Sequence, residues 1–250
     1  MKVLIDKYDG GSRIPGARLA PVKLYEKVRV YGRKTEKIFS VNIENIIKEE
    51  KNLSKLGELI EKEDIHLIIG GDHSITYYCA KSVPKKNSCL IIFDAHFDYF
   101  PNEEKSVTNW NFIEFLLQYF KKIVILGERN FEFSKRKHEK IIVFSSIDIN
   151  LKLEEVKNQL EKIIENVDNI YISIDMDVIN VSEFNSVSYP LIGGIQVAAL
   201  LYMVNYVCSS NKVYLIDITE YNPLMGNDNS ELFFQFFKII CQMLEGNQIE

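Results

Sequence analysis

From residue 66 onward, short apolar runs alternate with longer segments of helical spacing. The runs at 66–70, 89–94, 122–127, 140–145, 169–175 and 212–218 are rich in β-branched residues, as expected of strands covered on both faces. Helical spacing predicts helices over 41–62, 74–82, 110–121, 151–166, 196–208 and 230–244. Their alternation predicts an α/β chain, three-layer α/β/α, with a doubly wound, mainly parallel sheet. No repeat, low-complexity tract or linker divides it, so residues 1–250 are expected to form a single domain. Ser74 is expected to cap the second helix, and Gly193-Gly194 to break the chain before a helix that begins near Gln196. The first 40 residues are less regular: Asp9-Gly10-Gly11-Ser12 and Pro15-Gly16-Ala17 are rich in turn formers, and Lys27–Tyr31 reads as an edge strand.

Composition adds exclusions. An apolar content of 46% with 26% charged residues is ordinary for a globular protein of this length. The formal net charge of −5 argues against a nucleic-acid partner, and the small basic runs Lys85-Lys86 and Lys135-Arg136-Lys137 read as solvated loops. Charge arrives too early in Met1–Lys7 for a secretory signal, and no stretch reaches the roughly 18 apolar residues that a membrane span needs. The expected location is the cytoplasm, with no membrane partner. Cys79, Cys89, Cys208 and Cys241 lie far apart among apolar neighbours and read as free thiols.

The chemistry sits at the ends of three predicted strands: Gly70-Gly71-Asp72-His73-Ser74, Asp94-Ala95-His96-Phe97-Asp98 and Ser173-Ile174-Asp175-Met176-Asp177. Parallel strands present their carboxyl ends to one crevice, so these distant segments are expected to converge. Four carboxylates at close range repel one another and are costly to desolvate, which a bound cation relieves. Oxygen ligands with a few imidazoles suit Mn²⁺ or a related ion, and six donors fit two ions sharing bridging carboxylates better than one. Asp72 reads as structural.

These motifs, followed by Pro190 through Gly193-Gly194 and by Asp217-Ile218-Thr219-Glu220-Tyr221-Asn222-Pro223, resemble the ureohydrolase superfamily of arginases, agmatinases and their relatives, and an arginase-like member in particular. Singly each motif is weak; the ordered set, from about residue 66 to 223, is specific. The resemblance implies two Mn²⁺ per chain. His73 and Asp98 would bind one, His96 and Asp177 the other, with Asp94 and Asp175 bridging. It implies a catalytic set of Asp98, Glu220 and Asn109 and substrate contacts by Glu220, Glu132 and Asn109. The implied reaction is hydrolysis of a guanidino group, of arginine free or within a peptide, to urea and an amine such as ornithine. Agmatinase or formimidoylglutamase-type hydrolysis, and a catalytically impaired metal-binding homologue, stay open as alternatives. A homo-oligomer, trimer or hexamer, is also implied, and the apolar run Leu232–Phe237 reads as an inner helix or a subunit contact.

Two departures from the family stand out. Asn109 aligns where members usually place a histidine that passes a proton to the leaving amine, and an amide cannot exchange a proton in that way. Tyr99, Glu132 or a metal-bound water are candidate replacements. After the second motif, Tyr99-Phe100-Pro101-Asn102 forms a bulky apolar lip in place of the polar loop that grips a free α-carboxylate. Trp110 reads as core or interface rather than as a substrate lid.

Overall fold

The computed structural model describes residues 2–32, 46–47, 53, 55–83, 87–101, 105–130 and 136–246. Among these, eight strands form one sheet in the order β2-β1-β3-β8-β7-β4-β5-β6, with every neighbouring pair parallel. The strands are β1 (Val3–Asp6), β2 (Ile46–Ile47), β3 (Leu67–Ile69), β4 (Ser88–Phe93), β5 (Lys122–Glu128), β6 (Ile141–Ser145), β7 (Asn169–Asp175) and β8 (Val213–Thr219). The helices are α1 (Ala20–Gly32), α2 (Leu56–Glu63), α3 (Ile75–Cys79), α4 (Phe112–Leu116), α5 (Ser146–Glu165), α6 (Val197–Cys208) and α7 (Ser230–Leu244).

Successive strand residues point to opposite faces of a sheet, so a strand covered on both sides feeds two cores. Leu67, Ile69, Ile91, Phe93, Ile172, Ile174, Ile216 and Ile218 join a cluster with residues of α1, α5, α6 and α7. Ile68, Leu90, Ile92, Ile125, Tyr171 and Leu215 join a second cluster with α2, α3 and α4. The result is the predicted three-layer α/β/α arrangement. In α7, Phe233, Phe234, Phe236 and Phe237 are all buried, which makes most of that apolar run an inner helix. No helix among the described residues is long and apolar enough to cross a membrane.

The differences from the expected elements have physical causes. Lys27–Tyr31 is the end of α1 and not an edge strand; the edge position belongs to β2, beyond β1. β1 is only four residues long and lies in a stretch whose early charges drew attention away from its buried apolar run. Of the helix expected over 41–62, the described residues show α2 and, at 46–47, a strand; residues 41–45, 48–52 and 54 lie outside those described. The helix over 110–121 shrinks to α4, and that over 74–82 to α3 followed by a 3₁₀ turn at Ala80–Ser82. The helix expected from 151 is preceded by a short helical segment that opens at Ser146 under a capping box, in which the Ser145 and Asp148 side chains satisfy each other's backbone N–H groups, and the two join across a kink at Lys152 (φ −139°, ψ 39°).

Candidate metal centre and substrate cavity

Register aligns the site. Ile69 of β3, Ile218 of β8, Ile174 of β7 and Phe93 of β4 form one row across the four central strands. Gly70, Thr219, Asp175 and Asp94, the next residues along each chain, therefore leave the sheet at one level, with neighbouring strands about 4.8 Å apart. The chain then turns sharply in three places by the same device. Asp72 Oδ1 accepts from Ser74 N (2.9 Å), Asp94 Oδ1 from His96 N (2.6 Å) and Asp175 Oδ1 from Asp177 N (2.7 Å). Each aspartate binds the backbone two residues on, so the D-x-H and D-x-D spacing returns the second ligand to the same crevice as the first. Ser74 makes no side-chain cap on α3, contrary to expectation; its hydroxyl donates to Asp72 instead.

The six predicted ligands are brought together. His73 Nδ1 lies 3.1 Å from Asp94 Oδ2, 3.2 Å from Asp175 Oδ2 and 3.7 Å from Asp98 Oδ2. His96 Nδ1 lies 2.9 Å from Asp177 Oδ2 and 3.6 Å from Asp94 Oδ1. Two groups have ion-holding geometry, His73–Asp94–Asp175 and Asp94–His96–Asp177, with Asp94 common to both. The donor set fits divalent cations on a further observation: His73 Nδ1 and Asp94 Oδ2 are buried and make no hydrogen bond. Buried polar atoms of this kind require a partner.

The imidazoles and carboxylates of the cluster shift one another's titration. Burial opposes a charge on His73, but the Asp175 and Asp94 carboxylates beside it outweigh burial and lift the imidazole well above its usual pKa. The same competition, won by Asp177 and Asp94, carries His96 to about 12. Burial raises Asp98 and Asp175 well above the carboxylate range, reinforced by the charge of Asp94 on the first and of Asp177 on the second. Asp94 moves the other way, because the two imidazoles beside it overcome its burial. A cation arriving here displaces protons from these groups.

The far side of His73 is equally determined. Its Nε2 is 2.9 Å from Ser173 Oγ, which donates to Asp217 Oδ1 at 2.7 Å, while Thr76 and Tyr171 donate to Asp217 Oδ2. With Nε2 engaged in this hydroxyl network, Nδ1 is the nitrogen presented to the carboxylates. Ser173 and Asp217 are paired residues of β7 and β8. Sequence reading gave them no role, although a carboxylate inside an otherwise apolar strand, as in Leu215-Ile216-Asp217-Ile218, was a usable sign. Arg129 was also missed: it donates to the carbonyls of Asp177 (2.6 Å), Val178 (3.1 Å) and Leu191, and so clamps the turn that carries Asp177.

Glu220 follows β8 in the left-handed region (φ 62°), as Asp98 does after β4 (φ 43°). A non-glycine residue in this conformation costs about 1 kcal/mol or more and is held by its surroundings. For Glu220 these are Gly71 O, which accepts its N–H at 2.8 Å, and two donors to its Oε1, His73 N (2.9 Å) and Asn109 Nδ2 (3.0 Å). Glu220 Oε2 and Asn109 Oδ1 are buried without hydrogen-bond partners. Burial, with the charge of Asp72, raises the Glu220 carboxyl to about 8.

His96, Asp98, Asn109, Asp175, Asp177 and Glu220 line a cavity of about 400 Å³, whose outer wall is Arg13, Phe100, Trp110, Asn130 and Tyr189. Trp110 is thus a cavity residue and not core. Tyr99 packs on Phe97 and His138 and is not among the described lining residues, and Glu132 lies outside the described residues.

The sheet and its cluster define the class: an α/β enzyme that assembles imidazoles and carboxylates at the carboxyl ends of its central strands. The chain belongs to the arginase family, whose sequence model, Arginase family, matches residues 4–244. It is thereby a member of the ureohydrolase superfamily, hydrolases acting on guanidino and amidine groups. It is similar to an arginase of Staphylococcus aureus (strain COL), 27% identical over 240 residues that span 80% of this chain and 79% of that one. In fold it is similar to the formimidoylglutamase of Bacillus subtilis (TM-score 0.82, 21% identity, 100% of this chain and 87% of that one). It is likewise similar to the agmatine ureohydrolase of Thermoplasma volcanium (TM-score 0.80, 20% identity, 98% and 89%).

Proposed function

We propose that the protein hydrolyses a guanidino group to urea and an amine, with arginine, free or within a peptide, as first substrate and agmatine second. The observation that carries this reading is the unpartnered Glu220 Oε2, buried on the wall of a cavity whose floor is the His–Asp cluster. His73 and Asp98 would hold one ion and His96 and Asp177 the other, with Asp94 and Asp175 between them; we read both as Mn²⁺. Bound ions of this kind supply a water that is nucleophilic near neutral pH.

The chain's own residues bind and orient. Glu220 Oε1 is already committed to His73 N and Asn109 Nδ2, which leaves Oε2 to accept from a planar cationic head. Asn109 Oδ1 offers a second buried acceptor beside it. A guanidinium, with several N–H donors and no acceptor, satisfies both at once. Its positive charge also offsets the burial that raises the Glu220 carboxyl. Asn109 supplies hydrogen bonds and no transferable proton, and this observation keeps a second reading in view, a homologue that binds metal and ligand with little turnover.

The test is a product assay on Mn²⁺-loaded protein offered arginine, agmatine, formimidoylglutamate and an arginine-containing peptide, with urea, formamide and amine measured. Urea from arginine or agmatine, lost on chelation and restored by Mn²⁺, is the expected result. Formamide from formimidoylglutamate alone would move the reaction to the formimidoyl bond. No product from a chain carrying two ions would establish the binding-only reading.

A further inference from the structure

The two groups of ligands are supported in different ways. The group around His73 is braced by β7, β8 and α3: its Nε2 meets Ser173, and Ser173, Thr76 and Tyr171 converge on Asp217. The group of Asp94, His96 and Asp177 is assembled from two turns, one leaving β4 and one leaving β7. Ala95 N joins them by donating to Asp177 Oδ1 at 3.2 Å. Arg129 grips both. Its backbone N donates to Ala95 O at 3.0 Å, between Asp94 and His96. Its guanidinium donates to Asp177 O at 2.6 Å and to Val178 O at 3.1 Å.

The end of β5 delivers Arg129 to this place. Pairing of β5 with β6 shifts register between Gly127 and Glu128, and such a bulge re-aims the residues that follow. Gly127 has φ 111°, and a Cβ there would meet Val178 Cγ2 at 2.4 Å, so glycine lets β5 pass close to the turn that Arg129 holds. The remaining contacts reach further. Arg129 Nε and Nη2 donate to Leu191 O at 3.3 and 3.0 Å. Four of the five guanidinium N–H donors are thus committed to main-chain carbonyls. Leu191 lies two residues beyond Tyr189, whose ring meets that of His96 edge to face at 6.4 Å. One side chain therefore fixes the Asp177 turn and the wall against which His96 stands.

We infer, building on the two-cation reading above, that Arg129 is a positioning residue that sets the affinity of the ion held by His96 and Asp177 and leaves the ion held by His73 and Asp98 unaffected. His96 Nδ1 and Asp177 Oδ2 stand 2.9 Å apart, and an ion between them needs that pair held in register. The carbonyl of Asp177 is the handle: once released, the turn relaxes and the carboxylate drifts from the imidazole. The Asp217 network that orients His73 is built from other residues and keeps its shape. Lysine retains the charge of Arg129, but as a point donor it cannot span three carbonyls. Its effect therefore reads geometry alone. Methionine also removes a positive charge that repels the ion, which by itself would tighten binding. Weakening by both substitutions is the mark of a positioning role.

The test titrates Mn²⁺ alone into metal-free wild type, Arg129→Lys and Arg129→Met, each shown to be folded by circular dichroism, with the free ion read by its electron paramagnetic resonance. Wild type should bind two ions. Each variant should hold one ion as wild type does and the other about 10–100-fold more weakly, the usual loss when a group that supports a metal ligand is removed. Repeating Arg129→Lys in two backgrounds identifies the site. In His96→Ala it should leave the Kd of the remaining ion unchanged, and in His73→Ala it should weaken that ion by the same factor. Equal weakening of both ions, as a general loosening of the fold would give, overturns the proposal. So does no weakening, or an effect that persists in His96→Ala. If Arg129→Met does not fold, Arg129→Lys decides by itself. Wild type that binds no Mn²⁺ overturns the two-cation reading and this proposal with it, whereas two tightly held ions in Arg129→Lys overturn the clamp alone. Neither result depends on whether urea is formed.

Discussion

At the scale of single residues, the site depends on which atoms have partners and which do not. Asp217 takes three hydroxyl donors, so that His73 presents Nδ1; Glu220 Oε1 takes two N–H donors, so that Oε2 remains. Asn109 stands where the resemblance to the superfamily leads one to expect a histidine. Its amide faces the cavity and bonds Glu220, but it cannot carry a proton to a leaving amine. Asn109→His should therefore raise kcat, by about tenfold, below the roughly 10²–10⁴-fold that a well-placed general acid contributes. Steady-state urea release checks this, and an unchanged or lower rate would mean that position 109 does not face the leaving group. The three ligand motifs were legible as acid-bearing ends of apolar runs, whereas Glu220 and Asn109 rested on the resemblance to the superfamily. Arg129 carried no such sign, since its role arises from contacts with segments far along the chain that no local pattern encodes.

At the scale of elements, the aspartate turns explain why the motifs are short and their spacing strict: the first acid both binds its own backbone and joins the cluster. Gly71 shows the same economy of space, since a Cβ there would meet Tyr8 O at 1.8 Å, and the β3 turn packs directly on the chain leaving β1. Asp6, the last residue of β1, carries a cost. Burial, reinforced by the charge of Asp72, raises its carboxyl to about 7, and its Oδ2 has no hydrogen-bond partner. Between about pH 4 and pH 7 the unfolded chain then binds fewer protons at Asp6 than the folded chain does, so this group lowers stability progressively as pH rises through that window. Asp6→Asn should stabilise the protein by about 1–3 kcal/mol at pH 8 and hardly at all near pH 4. Urea unfolding at the two pH values checks this, and an equal effect at both, or destabilisation at pH 8, would contradict it. Strands buried on both faces were legible as apolar runs, whereas β1 and β2 were not, because elements of two to four residues lack a periodicity of their own.

At the scale of the whole molecule, parallel register converts four separate segments into one crevice. β3, β8, β7 and β4 are neighbours in the sheet but are separated in sequence by up to about 150 residues, and their order reverses between the β3 and β4 segments of the chain. Doubly wound sheets place their sites at such a reversal. Fold class and the convergence of the ligands followed from strand order and strand ends; the cavity's outer wall did not, because it is built by loops from the N-terminal region, from between β4 and α4, and from beyond β5 and β7. The central claim, that the converged cluster is a pair of cation sites sharing Asp94, is tested most directly by elemental analysis of folded protein after Mn²⁺ loading and exhaustive dialysis. Wild type should retain two ions per chain and Asp94→Ala, shown to be folded by circular dichroism, essentially none. A wild-type chain that retains no ion, or an Asp94→Ala chain that still retains two, would contradict the account.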